Sequence, residues 1–326
     1  MDIQAGAAEW ATIDPWWATT SDDPVANLEN SQRYILDSDW LTETWADIEP
    51  WWDVYATEAE TTYRTLQNTV ATLTAHWKAS DSHFDTDPLS EPWNQSTGNS
   101  GPFRITHEED WSQLLAYLCR NSAGPFLEAV FGEAFATTPT RVRREVPFHA
   151  PDKMNRRIDI LVEYPAKAIS IEIKVGDEHY GKTPDTAALI ERHDTRDWTH
   201  VLLLPEQKQS VLQATFGTAF DTKTDPPTID TSRKPQIQVL YWQGIARALR
   251  RVLVTDAEPS SHWLSTAYLC VALIEQKLLG FDPVLGTAHS DTAAEGVPDL
   301  WALERSDISA QLAYFDSLET MLSSVE

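Results

Sequence analysis

The chain has 326 residues, of which 42% are hydrophobic, so it is long enough for one large domain or two smaller ones. Its longest apolar run, Ala267 to Ile274, is too short to span a bilayer, and its acidic N-terminus lacks the apolar segment of a signal peptide. These features argue against a membrane partner or secretion, and we expect a cytoplasmic protein. Cys119 and Cys270 lie in apolar helical patterns and are predicted to be buried thiols.

The formal net charge of −25 is spread along the chain, and lysine is scarce. A dispersed acidic surface with little lysine is typical of proteins adapted to molar internal salt, as in halophilic archaea. Strong screening at such salt concentrations reduces the self-repulsion of the acidic surface. The alternative is an ordinary acidic protein with an acidic interaction arm. We favour the halophilic interpretation.

Residues 1–79 form an acidic, tryptophan-rich region that differs from the rest of the chain. Nine of the 14 tryptophans lie within the first 100 residues, and so many large aromatic side chains need either burial or a partner. Residues 56–78 have apolar side chains at helical spacing, which predicts a helix. We expect a helical layer that packs on the main domain and is dispensable for chemistry; a docking surface for a protein partner is the alternative. Residues 80–102 are rich in turn formers and are predicted to be a linker.

Residues 103–326 show a coherent pattern of helices and strands. Thr106 and Glu109 have the spacing of a capping box, which predicts the start of an amphipathic helix. Glu108 lies three residues before Trp111, on the stripe of this helix that faces inward. A carboxylate that faces the core is unfavourable unless another group pairs with it. We therefore assign Glu108 to the candidate site as a third acid.

Beyond that helix the apolar periodicity predicts a further helix, three strands, a crossover helix, two more strands and closing helices. The predicted helices are 125–135, 184–193, 242–254, 263–280 and 306–324, and the predicted strands are 142–148, 156–163, 168–175, 199–204 and 236–241. The order α-β-β-β-α-β, followed by helices, indicates an α/β protein with a mixed β-sheet flanked by helices.

A hairpin at residues 156–175 is the most informative segment of the chain. Strict alternation of apolar residues on either side of a turn at residues 164–167 predicts two half-buried strands. Folding the chain about this turn sets Ile160 opposite Ile171 and collects the apolar side chains on one dry face. Because a slip of one residue would expose that face, the pattern fixes the register of the two strands.

The polar face of this hairpin carries the candidate site. In the predicted register Asp159 lies opposite Glu172, and Lys174 points the same way from two residues along its strand. Two carboxylates and a lysine on one face suit a divalent metal bound by oxygen ligands. The alternative is a solvated strand face, although a sheet with only a structural role avoids directly opposed carboxylates. A metal turns this repulsion into a binding site.

The basic residues are concentrated around the same segment. Eleven of the 25 lysine and arginine residues lie between Arg141 and Arg196. An acidic protein that places its cations around a carboxylate cluster is predicted to act on a polyanion. Carboxylate pairing within a charged surface is the alternative.

Two short motifs in this arrangement, IDI at 158–160 and EIK at 172–174, resemble those of the PD-(D/E)XK nuclease superfamily. The helix EEDWSQLLAYLCR resembles the glutamate-bearing first helix of one microbial branch, and Glu108 falls on its acidic position. The resemblance covers residues 103–326 and implies a restriction-endonuclease-like core with helical N- and C-terminal parts.

The resemblance implies an endonuclease-like hydrolase that cleaves phosphodiester bonds of DNA, in defence against foreign DNA or in repair. It implies Mg²⁺ as the cofactor, with Mn²⁺ as a substitute, held by Asp159, Glu172, the backbone carbonyl of Ile173 and Glu108. Lys174 would orient or activate the attacking water and offset charge in the transition state.

Several neighbouring side chains are candidates for contact with a nucleic acid. They are Arg156, Arg157, His179, Tyr180 and Lys182. Arg157 falls opposite Lys174 in the predicted register, so we expect it to contact phosphate. Two other functions stay open: a nuclease fold that binds nucleic acid or protein without cleavage, and an interaction protein that uses its tryptophan-rich region. The intact Asp, Glu and Lys favour the enzyme, because decayed members of the superfamily commonly lose one of them.

Overall fold

The computed structural model describes residues 38–90, 107–149, 155–176, 179–232, 234–281 and 305–323. The chain divides into two compact units, Met1–Thr62 and Tyr63–Glu326. In the first unit the described residues all belong to one helix. The sheet and the candidate site lie in the second unit.

Eight α-helices and seven β-strands lie in the described part of the chain. The helices are α1 (Ser38–Ala79), α2 (Glu108–Asn121), α3 (Pro125–Phe131), α4 (Thr183–His193), α5 (Gln209–Phe216), α6 (Trp242–Val254), α7 (Ser261–Leu273) and α8 (Arg305–Ser323). The strands are β1 (Arg141–His149), β2 (Asn155–Glu163), β3 (Lys167–Ile173), β4 (Asp197–Leu204), β5 (Phe220–Asp221), β6 (Thr228–Ile229) and β7 (Ile237–Tyr241). A π-helical turn, Ile274–Leu278, continues α7.

The strands form one mixed sheet in the order β1-β2-β3-β4-β7-β6-β5. Strands β1, β2 and β3 are antiparallel, β4 and β7 run parallel to β3, and the short β6 and β5 are antiparallel again. The predicted α/β class with a mixed sheet flanked by helices is therefore confirmed. The sequence did not predict β5 and β6, because two-residue strands are too short to show an apolar alternation.

The hairpin of β2 and β3 has the predicted register. Ile160 pairs with Ile171 and Val162 pairs with Ile169. The amide of Tyr164 donates to the carbonyl of Lys167 at 2.9 Å and closes the predicted turn. The apolar side chains of this hairpin lie in the main core, so Asp159 and Glu172 are left on the opposite face of the sheet.

The two faces of the sheet bury different clusters. Ile171 and Val201 belong to the main core, which includes side chains of α2, α6 and α7. Leu202 and Leu204 point the other way, into a smaller cluster that includes Ala187 of α4. The second half of β4 is therefore apolar on both faces, as a buried parallel strand is expected to be, whereas β3 keeps a polar face with Ser170 and Glu172.

The second compact unit begins well before the predicted linker. Leu66 and Trp77 of α1 are buried in the main core. The indole N–H of Trp77 donates to the carbonyl of Phe84 at 2.8 Å, and both Asp87 and Leu89 are buried. The division expected from the sequence, at residues 80–102, thus differs from the structure, because the last turns of α1 and the segment after it supply core side chains. Residues 91–102 lie outside the described part of the chain.

Helix α2 begins one residue later than its predicted cap. His107 is the N-cap, and its amide donates to the Asp110 carboxylate at 3.0 Å. The predicted capping box of Thr106 and Glu109 is wrong, because Asp110 supplies the reciprocal bond one residue further along. Thr106 lies outside the described residues, and the Glu109 side chain is exposed.

Two further expectations concern the cysteines and the membrane. Cys119 and Cys270 are buried free thiols, as predicted. Burial raises the pKa of Cys119 to about 12, so the thiol stays protonated. Among the described helices, none has a stretch long and apolar enough to cross a bilayer.

A cluster of buried charges, absent from the sequence predictions, ties the start of the second unit to its end. Arg250 donates to both carboxylate oxygens of Asp87 at 2.8 Å and to those of Glu275 at 2.6 and 2.9 Å. The hydroxyl of Tyr314 donates to Glu275 at 2.6 Å, and the guanidinium lies 5.6 Å from the ring centre of Trp77. We call Asp87, Arg250, Glu275 and Tyr314 the arginine cluster.

Candidate functional site

Asp159 lies where β2 and β3 separate. The paired residues nearest to this point are Ile160 and Ile171. Beyond them, the amide of Ile173 donates at 2.8 Å to Oδ2 of Asp159. The Asp159 carboxylate therefore takes the place of a backbone acceptor and is held against β3.

Glu172 and Lys174 lie at the end of β3, where neighbouring β4 fixes their backbone. Glu172 pairs with Leu202, and the amide of Lys174 donates to the carbonyl of Leu203 at 2.8 Å. The Lys174 ammonium lies 3.3 Å from Oε1 of Glu172, and the two side chains are only 13% and 22% exposed. The pair is thus largely removed from water.

Glu108 joins this group from the first residue of α2. Its Oε1 accepts the amide of Val175 at 2.8 Å and that of Gly176 at 3.2 Å. The helix start is therefore tied to the segment that follows β3, and the Glu108 charge acts on both Asp159 and Glu172. We call Glu108, Asp159, Glu172 and Lys174 the hairpin site. Its members are those that the sequence singled out.

The hairpin site has more negative than positive charge. Burial, followed by the neighbouring Asp159 carboxylate, raises the pKa of Glu172 to about 7, against the opposing effect of Lys174. Burial also raises the pKa of Asp159, with contributions from Glu145 and Glu108. A divalent cation would remove this repulsion, since it favours the ionised form of every carboxylate near it.

Sequence reasoning missed the fourth carboxylate near this site, Glu145 of β1. The neighbouring pairs of the β1–β2 ladder place it across from Asp159. Its backbone has a φ of 54°, and its Oε2 lies 2.6 Å from Nη1 of Arg157. Apolar alternation gives no signal for such a residue, because a left-handed conformation inside a strand leaves no pattern in the sequence.

The donor types of the hairpin site suit a hard divalent cation. Carboxylate oxygens of Glu108, Asp159 and Glu172 and the carbonyl of Ile173 are ligands that Mg²⁺ prefers. Among the described residues, however, no three His, Cys, Asp or Glu side chains converge as a ready-made metal cage. Glu172 is engaged by Lys174, and Glu108 by two amides. The residues fit the cation by chemistry, and binding would require the carboxylates to turn towards one another.

The candidates for substrate contact occupy different environments. Arg157 is half-exposed and lies 3.6 Å from Glu109 as well as near Glu145. Arg156 is half-buried in β2, and Lys182 is exposed just before α4. His179 is exposed, whereas Tyr180 is buried in the smaller core cluster, which gives its ring a packing role. The structure therefore brings Arg157 to the hairpin site through its ion pair with Glu145.

A serine, a histidine and a glutamate also lie close together on this sheet. Ser170 Oγ is 2.7 Å from His200 Nδ1, and His200 Nε2 is 3.5 Å from Glu191. Ser170 and His200 are buried, and burial lowers the pKa of His200 to about 4. A substrate carbonyl has no access to a buried serine in the middle of a strand, so this group serves packing rather than acyl transfer.

Relatives of known function give no independent identification. Comparison of the chain with protein-family models, with curated proteins and with solved structures finds no match.

Proposed function

We propose that the protein is a divalent-metal-dependent nuclease that hydrolyses phosphodiester bonds of DNA on a restriction-endonuclease-like core. The observation that carries the proposal is the group formed by Asp159, Glu172 and Lys174. Burial raises the pKa of both carboxylates, the Asp159 charge raises that of Glu172 further, and the Lys174 ammonium lies 3.3 Å from Glu172. Such perturbed acids beside a cation are typical of sites that bind metal and act on phosphate.

The residues that would hold the cation are Asp159, Glu172 and Glu108, with the carbonyl of Ile173. When bound, Mg²⁺ or Mn²⁺ supplies Lewis acidity towards a phosphate oxygen and lowers the pKa of a coordinated water. Asp159 keeps its orientation through the Ile173 amide, and Glu108 keeps its own through the amides after β3.

Lys174 is the positively charged side chain of the hairpin site. Its ammonium lies against Glu172, and both side chains are largely buried, so their charges act more strongly than at the surface. Once the negative charge of Glu172 is shared with a cation, Lys174 can donate to a phosphate oxygen or orient the attacking water. Donors aimed at developing charge in this way usually make the largest contribution to such reactions.

Cleavage assays in molar KCl test this proposal. Wild type is incubated with plasmid, single-stranded DNA and RNA in the presence of Mg²⁺, Mn²⁺ or EDTA. We expect metal-dependent cleavage of DNA, lost in Asp159→Asn and in Glu172→Gln and unchanged in Asp221→Asn, whose carboxylate is exposed. Nucleic-acid binding should survive in part in the two site variants. Equal behaviour of wild type and Glu172→Gln on every substrate would rule out the enzyme.

One observation favours a second function, a nuclease fold that binds nucleic acid without cleaving it. The carboxylates of the hairpin site are engaged by backbone amides and by Lys174. In that event wild type would bind labelled DNA in EDTA, and added Mg²⁺ or Mn²⁺ would change neither the DNA length nor the affinity.

A further inference from the structure

Glu145 has a backbone conformation that its surroundings in the chain do not require. Among the described residues, two that are not glycine have a left-handed φ: Glu145 at 54° and Asp256 at 44°. Asp256 follows the last turn of α6, where a left-handed residue commonly ends a helix. Glu145 lies inside β1, where neither a helix end nor a turn explains it.

The distortion is confined to the position across from Asp159. Arg144 pairs with Ile160 and Val146 pairs with Ile158, so the ladder keeps its register on both sides of Glu145. A regular strand conformation would therefore be available in this register. Strained residues cluster at functional sites because the surrounding structure holds them there for a purpose.

The Glu145 side chain is occupied by one cation. Its Oε2 lies 2.6 Å from Nη1 of Arg157, whereas Glu109 lies 3.6 Å from Nη2, beyond hydrogen-bonding distance. Arg157 is 56% exposed, so the guanidinium reaches solvent while Glu145 holds one end of it. A guanidinium fixed in this way has further donors in a fork that matches phosphate.

We propose that Glu145 is a positioning residue that holds Arg157 beside Asp159, where Arg157 contacts a phosphate of the nucleic acid. This inference rests on the proposed function for the identity of the ligand. The strained backbone and the contact with Arg157 thus occur at the same residue. A glycine would adopt the same backbone without strain but would leave Arg157 without its anchor.

Binding of labelled double-stranded DNA in EDTA tests the proposal, because electrostatics and positioning predict opposite changes in the affinity of Glu145→Gln. Simple electrostatics predicts that Glu145→Gln binds a polyanion more tightly, because a negative charge is removed. Positioning predicts weaker binding instead, by about fivefold or more, similar to the effect of Arg157→Gln. The double variant should bind no more weakly than Arg157→Gln alone, since Glu145 acts through Arg157. DNA binding by Glu145→Gln as tight as wild type, or tighter, overturns the proposal.

A pair of glycine variants separates positioning from stability. Glu145→Gly and Asp256→Gly both relieve a left-handed side-chain residue, so each should melt no lower than wild type. Only Glu145→Gly should weaken DNA binding and raise KM for cleavage, with kcat changed less than twofold. Equal DNA affinity in the two glycine variants would overturn the proposal.

The outcomes also distinguish this inference from the nuclease proposal. If wild type binds DNA without cleaving it and the Glu145 variants bind more weakly, the nuclease proposal fails and the positioning role stands. If wild type cleaves DNA and the Glu145 variants match it in affinity and KM, the positioning role alone fails. Wild type that binds no DNA at all overturns both.

Discussion

The arginine cluster and the hairpin site both combine carboxylates with a cation, but the charges are well paired in the former and repel one another in the latter. In the former, Arg250 makes four hydrogen bonds of 2.6 to 2.9 Å to two carboxylates. Burial opposes the charge of Arg250, but the two carboxylates raise its pKa well above the ordinary value. The hairpin site has three carboxylates and one lysine, which lies 3.3 Å from Glu172, and the pKa of Glu172 rises to about 7.

The difference indicates that the two clusters contribute to stability in opposite ways. A buried ion pair with every donor and acceptor satisfied holds chain segments together, and the loss of one member leaves a bare charge. A buried group of repelling carboxylates instead destabilises the fold until a cation neutralises it. We therefore expect changes to the arginine cluster to unfold the protein, and changes to the hairpin site to alter activity while stability is kept or increased.

The largest expected effect comes from removing part of the arginine cluster together with its neighbours. A chain that begins at Gly101 lacks Leu66, Trp77 and Asp87. Val70, Leu73 and Leu89 are buried and missing as well. At about 2–5 kcal/mol for each of these five apolar side chains, the loss of about 10–25 kcal/mol is as large as the stability of a typical domain or larger. We expect no cooperative thermal transition by circular dichroism, in keeping with the prediction from the sequence that residues 1–100 are dispensable for chemistry but matter for stability or partner choice. A chain that begins at residue 57 is the control, and a sharp melt of the shorter chain would contradict the prediction.

A single substitution in the arginine cluster should be nearly as severe. Arg250→Met leaves Asp87 and Glu275 buried without their cation, which costs about 3–5 kcal/mol of unfolding free energy. Chemical denaturation measures the loss. Arg251→Met is the matched control, since its side chain is exposed on the same helix and should change stability by less than about 0.5 kcal/mol. Equal stability of the two variants would show that the arginine cluster contributes little to the free energy of unfolding.

In the hairpin site, Lys174→Ala should remove activity and leave the fold intact. Loss of one charge-stabilising donor lowers a rate on the order of 10²-fold or more. Metal binding should be nearly unchanged, because Lys174 is not among the proposed ligands. Rates of metal-dependent cleavage measure the effect, with Lys223→Ala as the exposed control. A Lys174→Ala enzyme that cleaves at the wild-type rate would exclude the proposed role.

The smallest effect is a difference in stability whose size depends on pH. The pKa of Glu172 is raised from its ordinary 4.5 to about 7, so folding favours the protonated form. Wild type is expected to lose stability as the pH rises from about 4.5 to about 7, whereas Glu172→Gln imitates the protonated acid throughout. Without metal, the variant should match wild type near pH 4.5 and be more stable above pH 7 by on the order of 1–3 kcal/mol.

Urea unfolding at several pH values measures this difference, with Glu133→Gln as an exposed control. If the difference in unfolding free energy between wild type and Glu172→Gln does not change with pH, the pKa of Glu172 is not raised in the folded protein. Added Mg²⁺ should reduce this difference in unfolding free energy at high pH if the cation binds the ionised carboxylates.

Local patterns predicted the hairpin well and the domain boundary poorly. Strict alternation with a period of two leaves one register for β2 and β3, and the register places Asp159, Glu172 and Lys174 on one face. The boundary at 80–102 was inferred from turn-forming residues, which describe local flexibility alone. They give no information on whether Asp87 finds a partner such as Arg250, which lies 163 residues away.

The amino-acid sequence by itself determined the α/β class, the hairpin and the members of the hairpin site, because these depend on periodicity and on neighbours in the chain. The tertiary structure alone decided the reach of α1 into the core, the arginine cluster and the left-handed Glu145 beside Asp159. Each of these depends on groups far apart in sequence. Burial, ion pairing and backbone strain arise only when the fold brings such groups together, so no local pattern encodes them.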